Sequence, residues 1–286
     1  MHGFLNIDKP AGMTSHDVVA RVRRLAGQKR AGHAGTLDPA ATGVLVVALG
    51  AATRLIEYVQ DETAKGYRAV VRLGQTTTTD DAEGDPLEAR PLPPLDQAAL
   101  EAALVPFRGT IQQVPPMYSA LHHQGQRLYD LARAGVTLDL PARSVTITQL
   151  ELVAWRPPDL TLDVLCGKGT YIRSLARDLG VALGCGGHLA ALRRTRVGAF
   201  TIEDAAPLDG LDVAAALLPI ELAVADWPGI QLDPEQAGRV RNGLSLELPG
   251  LPGDRARAHA PGGTLLALLY RREDETWHPG KVLNIS

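Results

Sequence analysis

The residues most able to carry chemistry lie in a glycine-rich segment, GHAGTLDPAATG, at positions 32–43. Within it Asp38 precedes Pro39, which holds the aspartate near the extended region and fixes its orientation. A fixed carboxylate of this kind can serve as a nucleophile or a general base. It can also cap a helix whose first residue is Pro39. The residues alone favour the helix cap.

Histidine and cysteine could form a metal site, but their spacing argues against one. A zinc nucleobase deaminase needs H-x-E followed by P-C-x-x-C, because His and thiolates hold the zinc while Glu moves the proton. His33 has no glutamate two positions further on, and Cys166 and Cys185 each lack a neighbouring partner. We therefore expect no metal.

The sequence GKGT at positions 167–170 suggests a phosphate-binding loop. The motif G-x-x-x-x-G-K-[ST] needs an earlier glycine and a hydroxyl after the lysine, and here Leu162 and Gly169 occupy those positions. The nucleotide-hydrolase hypothesis fails on this spacing. An anion site remains, in which Lys168 and Arg173 lie at the N-terminus of a helix.

Periodicity predicts the elements that must position these residues. A helix is predicted at about 15–26, capped by Ser15 or Asp17. The apolar run at 44–49 predicts a buried strand directly after the glycine-rich segment. Alternation at 67–73 predicts a second strand, with Tyr67 on its apolar face.

Further along the chain, a helix is predicted near 96–104, a strand at 160–166 and an amphipathic helix at about 170–183. Asp-Trp-Pro-Gly at 226–229 then marks a boundary. Beyond it come short strand candidates with frequent Pro and Gly, among them LSLEL, RARAHA, TLLALLY and KVLNI. We expect one domain at 1–225 and a small β domain at 226–286.

Composition is typical of a soluble globular protein. Hydrophobic residues make up 45% and charged residues 21% of the 286 positions, and no apolar run approaches the ~18 residues of a membrane helix. The N-terminal MHGFLNIDKP has neither a basic start nor an apolar stretch, so no secretory signal is expected. Two distant cysteines predict no disulfide framework. We therefore expect a cytoplasmic protein with no membrane partner.

Charge is distributed unevenly, although the net charge is only −3. Positions 18–37 hold five basic residues and no acidic one, and positions 164–200 hold six against Asp178 alone. Positions 201–235 hold eight acidic residues and no basic one. Such polarity is typical of a protein that binds a polyanion on one face. On charge alone, the interpretation that these segments are ordinary solvated faces is slightly favoured over polyanion binding.

Five blocks of the sequence resemble the bacterial tRNA pseudouridine-55 synthases of the TruB type, in the order in which that family has them. GTLDPAATG, YSALHHQGQRLY and GTYIR are highly specific in combination. The blocks, which span roughly the first 200 residues, are NIDKPAGMTSHDVV (6–19), GHAGTLDPAATGVL (32–45), YRAVVRLGQTTTTDDAEG (67–84), QVPPMYSALHHQGQRLYDLAR (113–133) and CGKGTYIRSLARDLG (166–180).

The resemblance implies an α+β fold: a mixed, largely antiparallel central sheet with surrounding helices and a central RNA cleft. It implies that the C-terminal β-rich domain is PUA-like and binds RNA. The expected partner is tRNA, at its T-arm and elbow, with no metal or cofactor, and the chain is expected to act as a monomer.

The resemblance also assigns roles to residues. Asp38 matches the catalytic aspartate, which adds covalently to the flipped T-loop uridine. Tyr67 matches the tyrosine that stacks on the base and is a candidate for proton removal. Arg173 matches the arginine that pairs with the catalytic carboxylate, and Tyr171 and Leu192 match residues that line the uracil pocket.

Contacts with the remainder of the RNA are expected from other residues. His33 matches the histidine that helps to hold the T-loop open once the base is out. The basic segments supply candidates for contacts with the RNA backbone. These candidates are Arg21, Arg24, Lys168, Arg193 and Arg194.

Two alternatives stay open. One is a catalytically silent RNA-binding or RNA-chaperone protein on the same scaffold, and the other is a synthase that acts on another RNA. The joint presence of Asp38, Tyr67 and Arg173 favours a synthase over a silent binder, because binding alone requires no carboxylate near phosphates.

Overall fold

The computed structural model describes residues 1–61, 63–118, 136 and 138–283, together with the backbone of two short strands at 122–123 and 126–127. From position 119 onwards, the side chains of the block at 113–133 that resembles the TruB family lie outside the described residues.

The described chain alternates strands with a smaller number of helices. The helices are α1 (Ser15–Ala26), α2 (Ile56–Asp61), α3 (Gln97–Leu104), α4 (Ile172–Ala182) and α5 (Pro234–Arg241). The strands are β1 (Gly3–Lys9), β2 (Ala31–His33), β3 (Thr42–Leu49), β4 (Lys65–Leu73), β5 (Gln75–Thr77), β6 (Pro86–Ala89), β7 (Gly109–Gln113), β8 (His122–His123), β9 (Gln126–Arg127), β10 (Arg143–Arg156), β11 (Asp159–Cys166), β12 (Gly187–Val197), β13 (Phe200–Thr201), β14 (Ala206–Pro207), β15 (Gly229–Gln231), β16 (Arg255–His259), β17 (Leu265–Arg271) and β18 (Trp277–Val282).

Ten of the described strands form one central sheet. Its order is β14-β1-β3-β12-β4-β11-β10-β7, with β13 beside β12 and β2 beside β3. The β1–β14 and β3–β12 pairs are parallel, and the other pairs in this sheet are antiparallel. The prediction of an α+β fold with a mixed, largely antiparallel sheet is confirmed.

Strand β3 is the predicted apolar strand, and both of its faces are covered. Val44 and Val46 belong to one hydrophobic cluster, whereas Leu45 and Val47 belong to a second cluster on the opposite face, which also contains buried residues of α1. A strand that is buried on both faces is a continuous apolar run rather than an alternating one. This explains the residue pattern that follows the glycine-rich segment.

Helix α1 has the predicted limits but a different cap. Thr14 is the N-cap residue, and Asp17 closes a capping box with it. The prediction that Ser15 or Asp17 caps the helix is therefore wrong. The Ser15 hydroxyl is 1% exposed and contacts the backbone of Leu37 instead.

Helix α4 is shorter than predicted, covering Ile172–Ala182, and it packs on β12 with Leu175 and Leu179 buried. Arg173 lies off this apolar stripe, as expected, but it is buried as well. The helix therefore presents a second buried face.

A separate four-stranded sheet, in the order β15-β16-β17-β18, follows the central sheet in the described chain. The separate C-terminal β sheet expected from the sequence is confirmed. The prediction of a strand in LSLEL is wrong, because Leu246 makes only an isolated bridge to Trp277. The boundary at 225/226 stays a prediction.

The C-terminal sheet packs closely against α2. Trp227 and Leu268 share one hydrophobic cluster with Val59 and with residues of β1 and β3. The Tyr58 ring meets the Trp227 ring edge-on at 5.4 Å, and its hydroxyl lies 2.5 Å from that of Tyr270. The two sheets therefore share part of one core through α2.

Polar contacts reinforce the same junction. Lys281 forms an ion pair with Glu57 and donates a 2.7 Å hydrogen bond to the carbonyl of Arg54. Arg54 in turn donates to the carbonyl of Val282.

Among the described helices, none is both long enough and apolar enough to cross a membrane.

Candidate active site

A cavity of about 460 Å³ opens where the glycine-rich segment meets β4, β12 and the start of α4. It is lined by residues 35–38, 60–61 and 167–173, and by side chains from β4 and β12. Seven of the predicted site residues line it. They are Asp38, Tyr67, Lys168, Tyr171, Arg173, Leu192 and Arg194.

Asp38 and Arg173 form an ion pair at the cavity wall. Nε of Arg173 lies 3.3 Å from Oδ2 of Asp38. The arginine side chain is 9% exposed, whereas that of Asp38 is 44% exposed. The carboxylate therefore faces the open cavity while its cation is held in the wall.

Arg173 is itself held by three further groups. Its Nη1 lies 3.4 Å from Oδ2 of Asp81 and donates to the carbonyl of Thr79 at 3.3 Å. Its Nη2 donates to the carbonyl of Tyr118 at 2.7 Å. A buried guanidinium with two carboxylates around it is fixed in position.

Asp38 does not cap a helix. In the described residues no helix follows it directly: positions 39–40 form a bend, the amide of Ala41 donates to the carbonyl of Asp38 at 3.1 Å, and β3 starts at Thr42. The helix-cap interpretation is therefore wrong. The Asp38 carboxylate lines the cavity instead.

Two side chains from the N-terminal region hold the segment that carries Asp38. The Ser15 hydroxyl accepts a hydrogen bond from the amide of Leu37 at 2.9 Å and donates to its carbonyl at 3.2 Å. Lys9 is fully buried, and its ammonium donates to the carbonyls of Pro39 at 3.1 Å and Ala41 at 2.7 Å.

Arg194 holds the other end of the segment. It is 1% exposed and donates to the carbonyls of Gly35, Thr36 and Val44 at 3.1, 3.3 and 2.7 Å. The backbone of Arg194 also packs against Gly43, where a Cβ atom would lie 2.2 Å from the Arg194 carbonyl oxygen. Only glycine permits this approach.

Tyr67 lies directly across from Arg194, since these two residues are partners in the β4–β12 ladder. The phenol is 9% exposed and lines the cavity. Burial raises the pKa of Tyr67, and the Arg194 guanidinium, which hydrogen bonds to the hydroxyl, opposes this rise. The hydroxyl therefore stays protonated at neutral pH.

The opposite wall is fixed through Gln113, which is 2% exposed. Its amide accepts from the backbone N–H of Tyr171 at 2.8 Å and donates to the carbonyl of the same residue at 3.1 Å. This two-point contact fixes the backbone that carries the Tyr171 side chain. Leu192 enters from β12, where it pairs with Ala69.

His33 lies at the end of β2, outside the cavity lining. Its ring meets the His16 ring edge-on at 5.2 Å, and its Nδ1 is buried with no hydrogen-bond partner among the described residues. Burial, followed by the charges of His16 and Arg194, lowers the pKa of His33. The residue is a neutral histidine beside the Asp38 segment.

The basic residues expected on the RNA backbone fall into different environments. Arg21 forms an exposed ion pair with Asp209 at 2.6 Å, Arg193 forms one with Asp8 at 2.8 Å, and Arg24 is exposed near the end of α1. Their part in RNA binding stays a prediction.

Arg194 differs from these more exposed residues, because its guanidinium is buried and donates to backbone carbonyls. It shares a face of β12 with Leu192 and therefore points inward, towards the cavity that it lines. Its contact with an RNA phosphate stays a prediction.

Comparison with known proteins relates this arrangement to one family. Residues 23–172 match the family described as "TruB family pseudouridylate synthase (N terminal domain)". Residues 173–224 match "tRNA pseudouridylate synthase B C-terminal domain", and residues 227–284 match "tRNA Pseudouridine synthase II, C terminal".

Relatives and solved structures agree with this match. The chain is 52% identical over 279 residues to tRNA pseudouridine synthase B of Thermobifida fusca, covering 94% of each chain. It is 48% identical to the protein of the same name from Gloeobacter violaceus, covering 91% of this chain and 90% of that one. The chain belongs to the TruB family of pseudouridylate synthases.

Among solved structures, one from a Cbf5–Nop10–Gar1 complex aligns with a TM-score of 0.73 and 28% identity over 99% of this chain and 84% of that one. A second, from an H/ACA RNP bound to a substrate RNA containing 2′-deoxyuridine, aligns with a TM-score of 0.73 and 27% identity. It covers 99% of this chain and 85% of that one. Family membership confirms the expected enzyme class, an isomerase.

Several residues of this TruB-family chain that shape the cavity were not predicted as site residues. They are Lys9, Ser15, Lys65, Asp81 and Gln113. For Lys65 a signal existed, because it precedes Tyr67 by two positions in one strand and must share its face. The others act across long sequence separations, which local pattern does not report.

Proposed function

We propose that this chain is a tRNA pseudouridine synthase that isomerises the T-loop uridine at position 55, with Asp38 as its catalytic carboxylate. The observation that carries the proposal is the Asp38–Arg173 ion pair at the wall of a cavity also lined by Tyr67. The name shared by the bacterial relatives, tRNA pseudouridine synthase B, supports the choice of substrate.

In this proposal the target uridine leaves its stack and enters the cavity. Flipping a base out costs a few kcal/mol and is cheaper in a loop than in a duplex. Tyr67 stacks on the uracil, and Tyr171 and Leu192 complete the pocket around it. Aromatic contacts offset part of the stacking that is lost.

The isomerisation exchanges one bond of the base for another. Asp38 adds covalently to the nucleotide, the bond between N1 and C1′ breaks, the uracil rotates, and C5 bonds to C1′. A proton leaves C5 and N1 gains one, so atoms and electrons balance without a redox partner. Asp38 then leaves as the free carboxylate.

The residues around Asp38 would keep it ready for this attack. Arg173 holds the carboxylate by an ion pair, and the fixed backbone at 35–41 removes the need to order it during the reaction. Tyr67 can take a proton only after its own hydroxyl has been deprotonated, and Arg194, which hydrogen bonds to that hydroxyl across the ladder, would stabilise the phenolate.

The proposal is tested with unmodified tRNA transcript, followed by mapping of pseudouridine. The wild type should modify position 55, and Asp38→Asn should lose roughly 10⁴-fold or more in single-turnover rate while still binding tRNA. Because no helix depends on Asp38, its thermal unfolding should be unchanged. Pseudouridine formation by Asp38→Asn at an appreciable rate would remove Asp38 from the reaction.

A further inference from the structure

Lys65 is a buried lysine at the end of the cavity formed by α2 and β4. It is 8% exposed, and its ammonium donates a 2.6 Å hydrogen bond to the carbonyl of Gln60. Both residues line the cavity. An ammonium has three donors, and this is its one hydrogen bond within the described part of the chain.

Lys65 is a charged residue on the otherwise apolar, buried face of β4. The residues that share its face of β4 are Tyr67, Ala69, Val71 and Leu73, which are buried in the core. Lysine is rarely buried without a partner, because desolvating its charge is costly. Burial, and next the charge of Arg194, lower the pKa of Lys65.

The net charge of the side chains around Asp38 differs in sign from that around Lys65. At one end the Arg173 guanidinium pairs with two carboxylates, that of Asp38 in the cavity lining and that of Asp81. Lys65 lies at the end formed by α2 and β4, and Arg194, whose charge acts on both Lys65 and Tyr67, gives its hydrogen bonds to backbone carbonyls rather than to carboxylates.

Two more charged residues complete this end of the cavity, Lys168 and the exposed Asp61. Cations therefore outnumber carboxylates here, in contrast to the end that holds Asp38. A flipped nucleotide matches this polarity, because its base is neutral and its flanking phosphates are anionic. The base belongs beside Asp38, which leaves a phosphate for the cationic end.

We propose that Lys65 binds a phosphate oxygen next to the target nucleotide, and so anchors the flipped uridine by its backbone. This inference rests on the proposed function, because it takes a nucleotide as the occupant of the cavity. Lys65 is suited to the role because Gln60 holds the ammonium at the wall and α2, braced by the C-terminal sheet, holds Gln60.

The test compares one protein change with one substrate change. Lys65→Met keeps the length of the side chain and removes its charge. The substrate is a tRNA carrying one uncharged methylphosphonate linkage, either 5′ or 3′ of the target uridine, and single-turnover kcat/KM is measured for each combination. Arg272→Met, which removes an exposed cation between β17 and β18, serves as the matched control.

A charge-assisted hydrogen bond predicts that one of the two linkages lowers kcat/KM of the wild type and of Arg272→Met by roughly tenfold to a hundredfold. Lys65→Met should show less than about a twofold penalty for that linkage, since the two changes remove the same contact. Its kcat/KM on normal tRNA should also depend less steeply on salt than that of the wild type.

Each variant is compared with itself on two substrates, so a loss of folded Lys65→Met protein does not alter the ratio. Equal penalties in wild type and Lys65→Met, at both linkages, would overturn the inference. A wild type that forms no pseudouridine in normal tRNA would instead overturn the proposed function.

Discussion

Two arginines are buried on opposite sides of the same cavity, and their partners differ. Arg173 is next to two carboxylates, one of which faces the cavity. Arg194 donates to three backbone carbonyls and to the Tyr67 hydroxyl. A buried cation beside an accessible carboxylate can change the reactivity of that carboxylate. A buried cation surrounded by carbonyls instead fixes the course of the backbone.

This contrast predicts that the same substitution has different consequences at the two positions. Lysine keeps the positive charge and loses the planar fork that serves several acceptors at once. A change in rate is expected at Arg173 in addition to any loss of stability, whereas at Arg194 the change should be mainly in stability.

The largest effect is expected from Arg173→Lys. A point charge replaces a guanidinium whose position beside Asp38 is fixed, so the single-turnover rate should fall by roughly 10²-fold. Stability should fall as well, because Arg173 also donates to the carbonyls of Thr79 and Tyr118, so the rate is taken per folded protein. A wild-type rate would separate Arg173 from the active centre.

Arg194→Lys should act mainly on the folded state. An ammonium cannot reach all three carbonyls and the Tyr67 hydroxyl, so buried acceptors lose their partners and the free energy of unfolding should fall by about 2–4 kcal/mol. Urea unfolding of the purified variant measures this. Wild-type stability together with lost activity would show that Arg194 acts in the reaction and not through the backbone.

Ser15→Ala tests how far a contact from α1 to the Asp38 segment affects stability and rate. It removes both contacts with the backbone of Leu37 and leaves the Thr14 cap intact. We expect a loss of about 1–2 kcal/mol in stability. Thr14→Ala is the matched control, since it should cost about 1 kcal/mol at the helix start without releasing the Asp38 segment. Only Ser15→Ala should also lower the rate.

The smallest effect concerns pH. The folded-state pKa of His33 is lowered by burial, so the unfolded chain binds a proton more readily than the folded one. The stability contributed by neutral His33 is present above its unfolded pKa, about 6.5, and is lost as pH falls below that value. Unfolding of wild type and His33→Gln at pH 7.5 and 5.5 should show the larger acid loss in the wild type.

Much of this arrangement could be predicted from the sequence, and the remainder could not for identifiable reasons. Periodicity predicted α1 and β3 well, because each buries a regular stripe or run. It could not report that Ser15 reaches Leu37 or that Lys9 reaches Ala41, since these contacts exist only once β1, α1 and β3 have packed.

Arg194 illustrates the same limit. As one of a run of basic residues it suggested an RNA contact, and only the pairing of β12 with β4 turns it inward, opposite Tyr67. Reading positions 192–194 as a strand would have separated Leu192 and Arg194 from Arg193. The resemblance to a family supplied the candidate site residues, but not the side chains that support them.

The junction between α2 and the C-terminal sheet has a consequence for how related chains can vary. Tyr58 and Tyr270 share a hydroxyl contact, and Glu57 and Lys281 form an ion pair. A change on one side of either pair leaves a buried or charged group without its partner on the other. We therefore expect these positions to co-vary among relatives. A C-terminal sheet transplanted from another chain should require its own version of α2, and with it the cavity wall at Gln60.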